Sequence, residues 1–448
     1  MRFLIVLLIL SLPWLLFYNF NGAYYWDEAV YMDLARNIKN GEYFVNMAGD
    51  ESFRAPFFPF ILYILYPLGE HFLKVLPIIF MFSSVFVIYH FISRFYDKKT
   101  AFYLSSFLLT SPLLLFFGER LLTETIFLFL FSSSLLFFYI SIEKDKRYMP
   151  LVGLLTGLSF LTKYQGIYLI PTFIIYIYIR KKLSVIKSKE FVLSAIIFIL
   201  LMIPWLLISY TYYGNIFGSY KAQMDTITSP VSEAYYSGSV FFYIIYSVAI
   251  FGIPILLFPA FLNKKFFDKN FSKLAIISVI IIFMIFSFSM RKELRYLVAF
   301  SFIFLLPCAL GLKNLESRVK KKKIIIPIIF SILILLNVSS SAILMINGRD
   351  SGLNIKNAAE FLKDRVSEDE YIVASNYPVM RYITNAKILA FPPSESQLIN
   401  ETYKIKYIVV DFAEVDMPEY AKRLDMMSYI KKIREFGSGW DRVIIYQP

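Results

Sequence analysis

Hydrophobic residues fill 58% of the 448 positions and the mean hydropathy is +0.60, so this is an integral membrane protein; soluble-enzyme classes are excluded for all but about the last hundred residues. The only cysteine, Cys308, lies in an apolar run, and the two histidines, His71 and His90, stand far apart, which leaves no disulfide framework, thiolate cluster or histidine zinc site. The net charge of +13 gathers at alternate junctions between apolar runs, as membrane topology requires, and does not call for nucleic acid.

Apolar runs long enough for a ~30 Å hydrocarbon core recur through the first three quarters of the chain. The pattern predicts eleven spans, near 1–20, 72–93, 101–118, 124–142, 148–162, 165–180, 191–210, 239–262, 274–290, 295–313 and 324–346. Lys98-Lys99, Lys144 to Arg147, Arg180-Lys181-Lys182, Lys264-Lys265 and Lys320 to Lys323 fall at every second junction, and Arg2 starts the series on the same side. This places the N-terminus in the cytoplasm and the loop after the first span outside. The first span reads as retained rather than cleaved: no small-residue cleavage site follows it, and Tyr24-Tyr25-Trp26 reads as an interface anchor.

That first outer loop, residues 21–71, carries Asp27-Glu28. Asp27 to Asn40 places Ala29, Val30, Met32, Leu34, Ala35 and Ile38 at helical spacing and ends at Gly41, predicting a helix along the membrane surface. The acidic pair suits the N-terminus of such a helix. It equally suits a base at the water–lipid boundary, where an acceptor meets a lipid-linked donor. Arg54-Ala55-Pro56-Phe57-Phe58-Pro59 follows, and Phe60 to Leu68 is apolar but too short to span, so it reads as re-entrant or interfacial.

The predicted spans at 148–162 and 165–180 are short; the first covers about 22 Å at helical rise. The turn Thr162-Lys163-Tyr164-Gln165 therefore sits below the outer surface, and a lysine there must face a cavity or a partner. From residue 349 charge increases and apolar runs shrink to strand length. Tyr371 to Ser375, Lys406 to Asp411 and Arg442 to Tyr446 read as strands, and Asn354 to Val366 and Met417 to Phe436 as helices, giving a small α/β domain on the outer face. The division expected is 1–348 for a membrane catalytic domain and 349–448 for this outer domain. Asn400-Glu401-Thr402 fits a glycosylation acceptor. No phosphate-binding glycine loop occurs, which weighs against a nucleotide-driven pump.

This topology brings Asp27, Glu28, Arg54, Glu119, Arg120, Glu124, Lys163, Arg291, Lys292, Glu293 and Arg295 to one face. Helix ends at a membrane often carry charges. A set of both signs, with other basic residues confined to the opposite face, instead points to a polar cavity. Glycosyl transfer from a polyprenyl-phosphate sugar needs such a set: a carboxylate to take the proton of the attacking hydroxyl, and cations to hold the phosphate as the glycosidic bond breaks.

Trp26 to Arg36 resembles the first-loop motif of the GT-C membrane glycosyltransferases, which include the protein O-mannosyltransferases and the lipid A aminoarabinose transferases. Arg54 to Pro59 is similar to the Arg/Lys-Pro-Pro-like stretch of that loop, and Thr123-Glu124-Thr125 to the acidic motif opening the fourth span. Gly153 to Lys163 resembles the glycine-spaced helix ending in Thr-Lys, and Arg291 to Tyr296 the Arg-Tyr motif before a late span. The resemblance covers about residues 1–315, with the motifs in family order. It implies Asp27 as catalytic base with Glu28 in support, Arg54, Lys163, Arg291 and Arg295 at the donor phosphate, and Glu124 positioning the acceptor or a cation. Ala55-Pro56 departs from the His-Pro-Pro of protein mannosyltransferases, and no MIR-type insertion is present, which favours a prokaryotic cell-surface or lipid glycosyltransferase. Gly153 and Gly157 also carry the small-xxx-small spacing that permits close helix packing.

The expectation is an α-helical polytopic GT-C-type protein of about eleven spans. It would move a monosaccharide from a dolichyl- or undecaprenyl-phosphate donor to a hydroxyl of a lipid, glycan or protein, surrounded by membrane lipids. No cofactor is firmly expected; Asp27, Glu28 and Glu124 could hold Mg²⁺ or Mn²⁺ through oxygen ligands. The alternative is a transporter or flippase of lipid-linked sugars, for which no inverted repeat is visible.

Overall fold

The structure is a computed structural model that describes residues 2–16, 25–39, 41, 53–228, 239–261, 269–289, 292–348, 350–414 and 417–448. The N-terminal half runs as α1 (Arg2–Leu10), α2 (Leu12–Leu16), α3 (Trp26–Lys39), α4 (Phe57–Leu65), α5 (Glu70–Phe95), α6 (Lys98–Thr110), α7 (Pro112–Gly118), α8 (Glu124–Glu143), α9 (Met149–Thr162), α10 (Leu169–Ile179) and α11 (Lys189–Tyr213). Helices Asn270–Phe288, Ser301–Arg318 and Lys322–Gly348 complete the membrane body.

Among the described residues, six helices are long and apolar enough to cross a membrane, and α6 with α7 makes a seventh if that bent pair is one span. Several predicted spans are shorter or broken. Tyr164–Ile179 is an apolar helix below spanning length, and of the predicted span 1–20 the described residues hold the apolar stretch Phe3–Leu16. The pair α6–α7 bends by 59° at Ser111. Ser111 precedes Pro112 and takes an extended ψ of 122°, as the proline ring excludes the helical region for its predecessor. The predicted span 239–262 is broken into Phe242–Ile245, Ser247–Phe251 and a 3₁₀ stretch Ile253–Phe261. Gly252, at φ +83°, makes the break, and Asn337 Oδ1 accepts the freed Ile253 amide at 3.0 Å. A side chain thus satisfies the backbone where the helix cannot.

The helix beginning at Ser301 and α8 form the buried centre, whereas α11 and Lys322–Gly348 turn mostly outward. Gly153 and Gly157 on α9 face α11: a Cβ on Gly153 would lie 2.1 Å from the Ser194 carbonyl oxygen, so the two backbones touch only because glycine is there. Trp14 is fully buried, and its indole N–H donates to the Leu109 carbonyl at 2.9 Å, tying the first helices to α6.

The C-terminal sheet has five strands, β1 (Tyr371–Ala374), β2 (Lys387–Leu389), β3 (Ile405–Asp411), β4 (Lys431–Phe436) and β5 (Val443–Gln447), in the order β2-β1-β3-β5-β4. β2, β1 and β3 are parallel, while β5 pairs antiparallel with β3 and β4. Two expectations are corrected. Met417 to Phe436 is not one helix: Glu419–Met426 is a 3₁₀ stretch and Lys431–Phe436 is an edge strand. Pairing with β5 overrides the local propensity of Lys431-Lys432-Ile433-Arg434-Glu435-Phe436, and the charges suit an exposed edge. Second, α3 does not have the single buried face of an amphipathic surface helix. Ten of its residues are buried, because one face packs on α4 and another on the helix Tyr377–Thr384 of the sheet domain. One apolar core runs from Ala29, Met32, Phe58 and Leu62 through Val379 and Met380 to Ile372, Val409 and Ile445.

Candidate active site

Asp27 and Glu28 occupy the first turn of α3 and divide its duties. Glu28 is the third helical residue. Its Oε2 accepts the Tyr25 amide at 2.6 Å, as the acidic member of a capping box does, and its Oε1 accepts the Leu121 amide at 2.7 Å. Arg120 Nη1 lies 3.5 Å from Glu28, and its Nη2 donates to the Gly348 carbonyl at 3.1 Å. Glu28 therefore fastens the start of α3 to the α7–α8 turn.

Asp27 meets cations instead. Arg54 Nη2 donates to its Oδ1 at 2.7 Å, and Arg295 Nη1 to its Oδ2. Arg54 comes from the turn before α4, and Arg295 from the 3₁₀ stretch Leu294–Phe300, where Tyr243 donates its hydroxyl to the Glu293 carbonyl at 3.3 Å. Arg295 Nη2 also lies 3.3 Å from Glu293, whose other oxygen accepts the Tyr296 hydroxyl at 3.2 Å. Burial alone would raise the Asp27 carboxyl, but Arg54 and Arg295, with Lys163 farther off, hold it well below the usual carboxylate range.

Lys163 caps α9 in an extended conformation, and its Nζ donates to Glu124 Oε1 at 3.1 Å. Glu124 opens α8; its Oε2 is buried without a hydrogen bond among the described residues. The next residue, Tyr164, donates its hydroxyl to the Phe53 carbonyl at 2.8 Å and accepts the Trp205 indole N–H at 3.1 Å. The turn bearing Lys163 is thereby tied to the loop bearing Arg54. Tyr31 lies beneath Arg54, 5.3 Å from ring centroid to guanidinium carbon. Tyr31 and Tyr164 are not among the charged residues expected at the site; Tyr31 stands one turn after Asp27, and that i,i+4 spacing is the signal the sequence offers for it.

Asp27, Arg54 and Arg295 are thus in direct contact, with Glu124 and Lys163 close by, and Glu28 is turned to other partners. Arg291 lies outside the described residues. Glu119 is buried without a hydrogen bond among the described residues, and burial, only partly offset by Arg120, pushes its carboxyl up to about 9. No three His, Cys, Asp or Glu side chains among the described residues could share a metal ion. The donor chemistry agrees: guanidinium groups occupy both Asp27 oxygens and amides both Glu28 oxygens, so Asp27, Glu28 and Glu124 do not form an oxygen cage.

Residues 53–208 match the family model for dolichyl-phosphate-mannose-protein mannosyltransferase. No curated protein sequence matches the chain. Its fold matches a crystal structure of ArnT from Cupriavidus metallidurans bound to undecaprenyl phosphate, with a TM-score of 0.67 and 14% identity over 99% of this chain and 97% of that one. It also matches the Archaeoglobus fulgidus oligosaccharyltransferase in complex with Zn and sulfate, with a TM-score of 0.67 and 14% identity over 94% and 71%. Archaeal oligosaccharyltransferase AglB from the same organism, with an inhibitory peptide and a dolichol-phosphate, matches with a TM-score of 0.61 and 14% identity over 92% and 69%. The chain is a multi-pass membrane protein with the GT-C membrane glycosyltransferase fold.

Proposed function

We propose that this chain transfers a monosaccharide from a polyprenyl-phosphate donor, dolichyl or undecaprenyl, to a hydroxyl of a lipid, glycan or protein on the outer face of the cell membrane. Residues 1–348 would be the catalytic body and 349–448 the extracytoplasmic domain, with the N-terminus cytoplasmic. The observation that carries this reading is the buried Asp27 held between Arg54 and Arg295 with Lys163 nearby.

Asp27 is the base and Arg54, Arg295 and Lys163 receive the donor phosphate. In the resting arrangement Asp27 is a weak base, because both oxygens are spent on guanidinium groups. The phosphodiester of the donor competes for those same donors. As they turn to the phosphate, Asp27 keeps its burial but loses cationic support, and its proton affinity rises. The base is thus armed by donor binding. The acceptor hydroxyl then attacks the anomeric carbon, its proton passes to Asp27, and the bond from that carbon to the phosphate oxygen breaks with its electron pair on oxygen. Polyprenyl phosphate leaves with one more negative charge than the bound donor had, and the three cations are placed to bind that added charge. Glu124 holds Lys163 in place and offers its second oxygen to acceptor or sugar. Glu28 serves by fixing the start of α3.

The resemblance of motifs and the fold match support this reading, and the lipid phosphates bound in the ArnT and AglB structures agree with the donor class. The test is release of polyprenyl phosphate by purified protein from a panel of labelled polyprenyl-phosphate sugars, with and without Asp27→Asn and with and without EDTA. Loss of release in the variant supports the assignment; equal release in variant and wild type rejects Asp27 as base. Inhibition by EDTA would show a metal requirement that these carboxylates do not supply.

A further inference from the structure

The helix that carries Asp27 is gripped from its far side by the sheet domain. Asp27 and Asp33 are six residues apart on α3, which at 3.6 residues per turn sets them roughly 120° apart around the axis. Asp27 meets the membrane body. Asp33 meets the sheet domain: Arg381 Nε, from the helix Tyr377–Thr384, donates to Asp33 Oδ2 at 2.6 Å. Both residues are buried, at 6% and 7% exposure. Arg36 takes the other Asp33 oxygen and donates through Nη1 to the Tyr382 carbonyl at 3.1 Å. At the start of α3, the Trp26 ring packs edge-on against Tyr377 with centroids 4.6 Å apart. Trp26 is the residue before Asp27. The sheet domain therefore touches α3 at its first residue and again two turns later.

A buried ion pair is a poor way to gain stability, since desolvation of both groups consumes most of the attraction. What it does impose is direction. Apolar packing, such as the core that Val379 and Met380 share with Ala29 and Met32, allows a helix to slide or roll, whereas a short charged hydrogen bond between two buried groups does not. A roll of α3 by 20° would move its Cα atoms by about 0.8 Å and the Asp27 carboxylate farther. A misplacement of that size is enough to cost a transferase much of its rate.

We propose that Arg381 is a positioning residue for the transfer site: through Asp33 it fixes the rotation and depth of α3 and so sets where Asp27 stands. This makes the sheet domain a working part of the membrane-embedded centre. The inference rests on the transferase reading for its effect on rate, but its structural content stands apart from it.

The experiment uses the full-length protein and two readouts, polyprenyl-phosphate release and amide hydrogen exchange of α3. Arg381→Met is expected to lower kcat about 10- to 100-fold with donor KM unchanged, and to speed exchange in residues 26–39 about tenfold. Asp33→Asn should do the same, the double variant should be no worse than either single, and Arg381→Lys should recover part of the rate. Unchanged exchange in α3, or single losses that multiply in the double variant, would overturn the proposal. Should Arg381→Met fail to fold, Asp33→Leu with Arg381→Met removes both buried charges and leaves the partly exposed Arg36 its bond to the Tyr382 carbonyl; that pair is expected to fold and remain slow, and a wild-type kcat from it would overturn the proposal equally. Wild-type protein inert on every donor, with α3 exchange still raised by Arg381→Met, would reject the transferase reading and keep the lock. Active wild-type protein with unaltered α3 exchange in the variant would reject the lock alone.

Discussion

Replacing Arg295 by Met removes the guanidinium and its charge and keeps an unbranched stem about as long as the arginine's to Nε. Arg295 serves Asp27 through Nη1 and Glu293 through Nη2 at 3.3 Å, so two carboxylates lose one cation. Asp27 keeps Arg54 at 2.7 Å, and Glu293 keeps the Tyr296 hydroxyl at 3.2 Å. Breaking a buried pair from one side costs about 3–5 kcal/mol where no other partner remains, and the retained partners place this site toward the lower end. The catalytic cost is separate. Loss of one preorganised donor to a developing charge lowers kcat by about 10²–10³, or about 2.7–4 kcal/mol. Arg295→Lys keeps one charge but cannot reach both carboxylates at once, so it should fall between Met and wild type. Single-turnover release of polyprenyl phosphate at saturating donor, with the detergent-phase melting temperature measured alongside, separates the two effects. Arg295→Met protein that turns over within threefold of wild type would refute the role given to this arginine.

Other outcomes follow from the same structure. Gly153→Ala brings a methyl group within 2.1 Å of the Ser194 carbonyl oxygen, forcing α9 from α11 at a cost of about 1–3 kcal/mol. Gly157→Ala meets only the end of the Leu201 side chain at 2.8 Å and should melt nearer wild type; equal melting of the two variants would contradict the packing described. Glu28→Gln cannot accept from both the Tyr25 and Leu121 amides, so it should cost about 1–3 kcal/mol of stability in thermal melts, with its rate falling less than that of Asp27→Asn. In the sheet domain, burial pushes the Asp411 carboxyl up to about 6 from a usual 3.8. A raised carboxyl makes the folded state hold the proton more tightly, so this contribution is whole below pH 3.8 and is lost as pH rises through 6, at most about 3 kcal/mol. Protease resistance of residues 371–447 between pH 5 and 7.5 should therefore decline in wild type more than in Asp411→Asn; parallel curves would count against it.

The parts of the site that could be read in the sequence are those carried by local pattern. Helical spacing predicts a helix from Asp27 to Asn40, and the structure has one from Trp26 to Lys39. The depth of the Thr162–Gln165 turn requires a partner for Lys163, and Glu124 stands there. The alternatives left open for the acidic pair divide between its members: Glu28 caps, while Asp27 pairs with arginines. What could not be read depends on distant chain. The face of α3 away from α4 is covered by Tyr377, Arg381 and Tyr382, more than three hundred residues away, so amphipathic spacing alone points to a surface helix. The run Lys431 to Phe436 is a strand only because β5 pairs with it. The break at Gly252 is stable only because Asn337 answers it from another helix.

The most direct measurement follows labelled polyprenyl phosphate released from its sugar by wild-type protein and by Asp27→Asn. The amide keeps the shape of the carboxylate but can accept from only one of Arg54 and Arg295, and it takes no proton. The account predicts donor breakdown in wild type and a loss of about 10²–10⁴ in the variant, with the melting temperature showing a folded protein in both. Breakdown at the wild-type rate in Asp27→Asn, or no breakdown of any donor by wild type in the presence of a cell-envelope extract as acceptor, would contradict it.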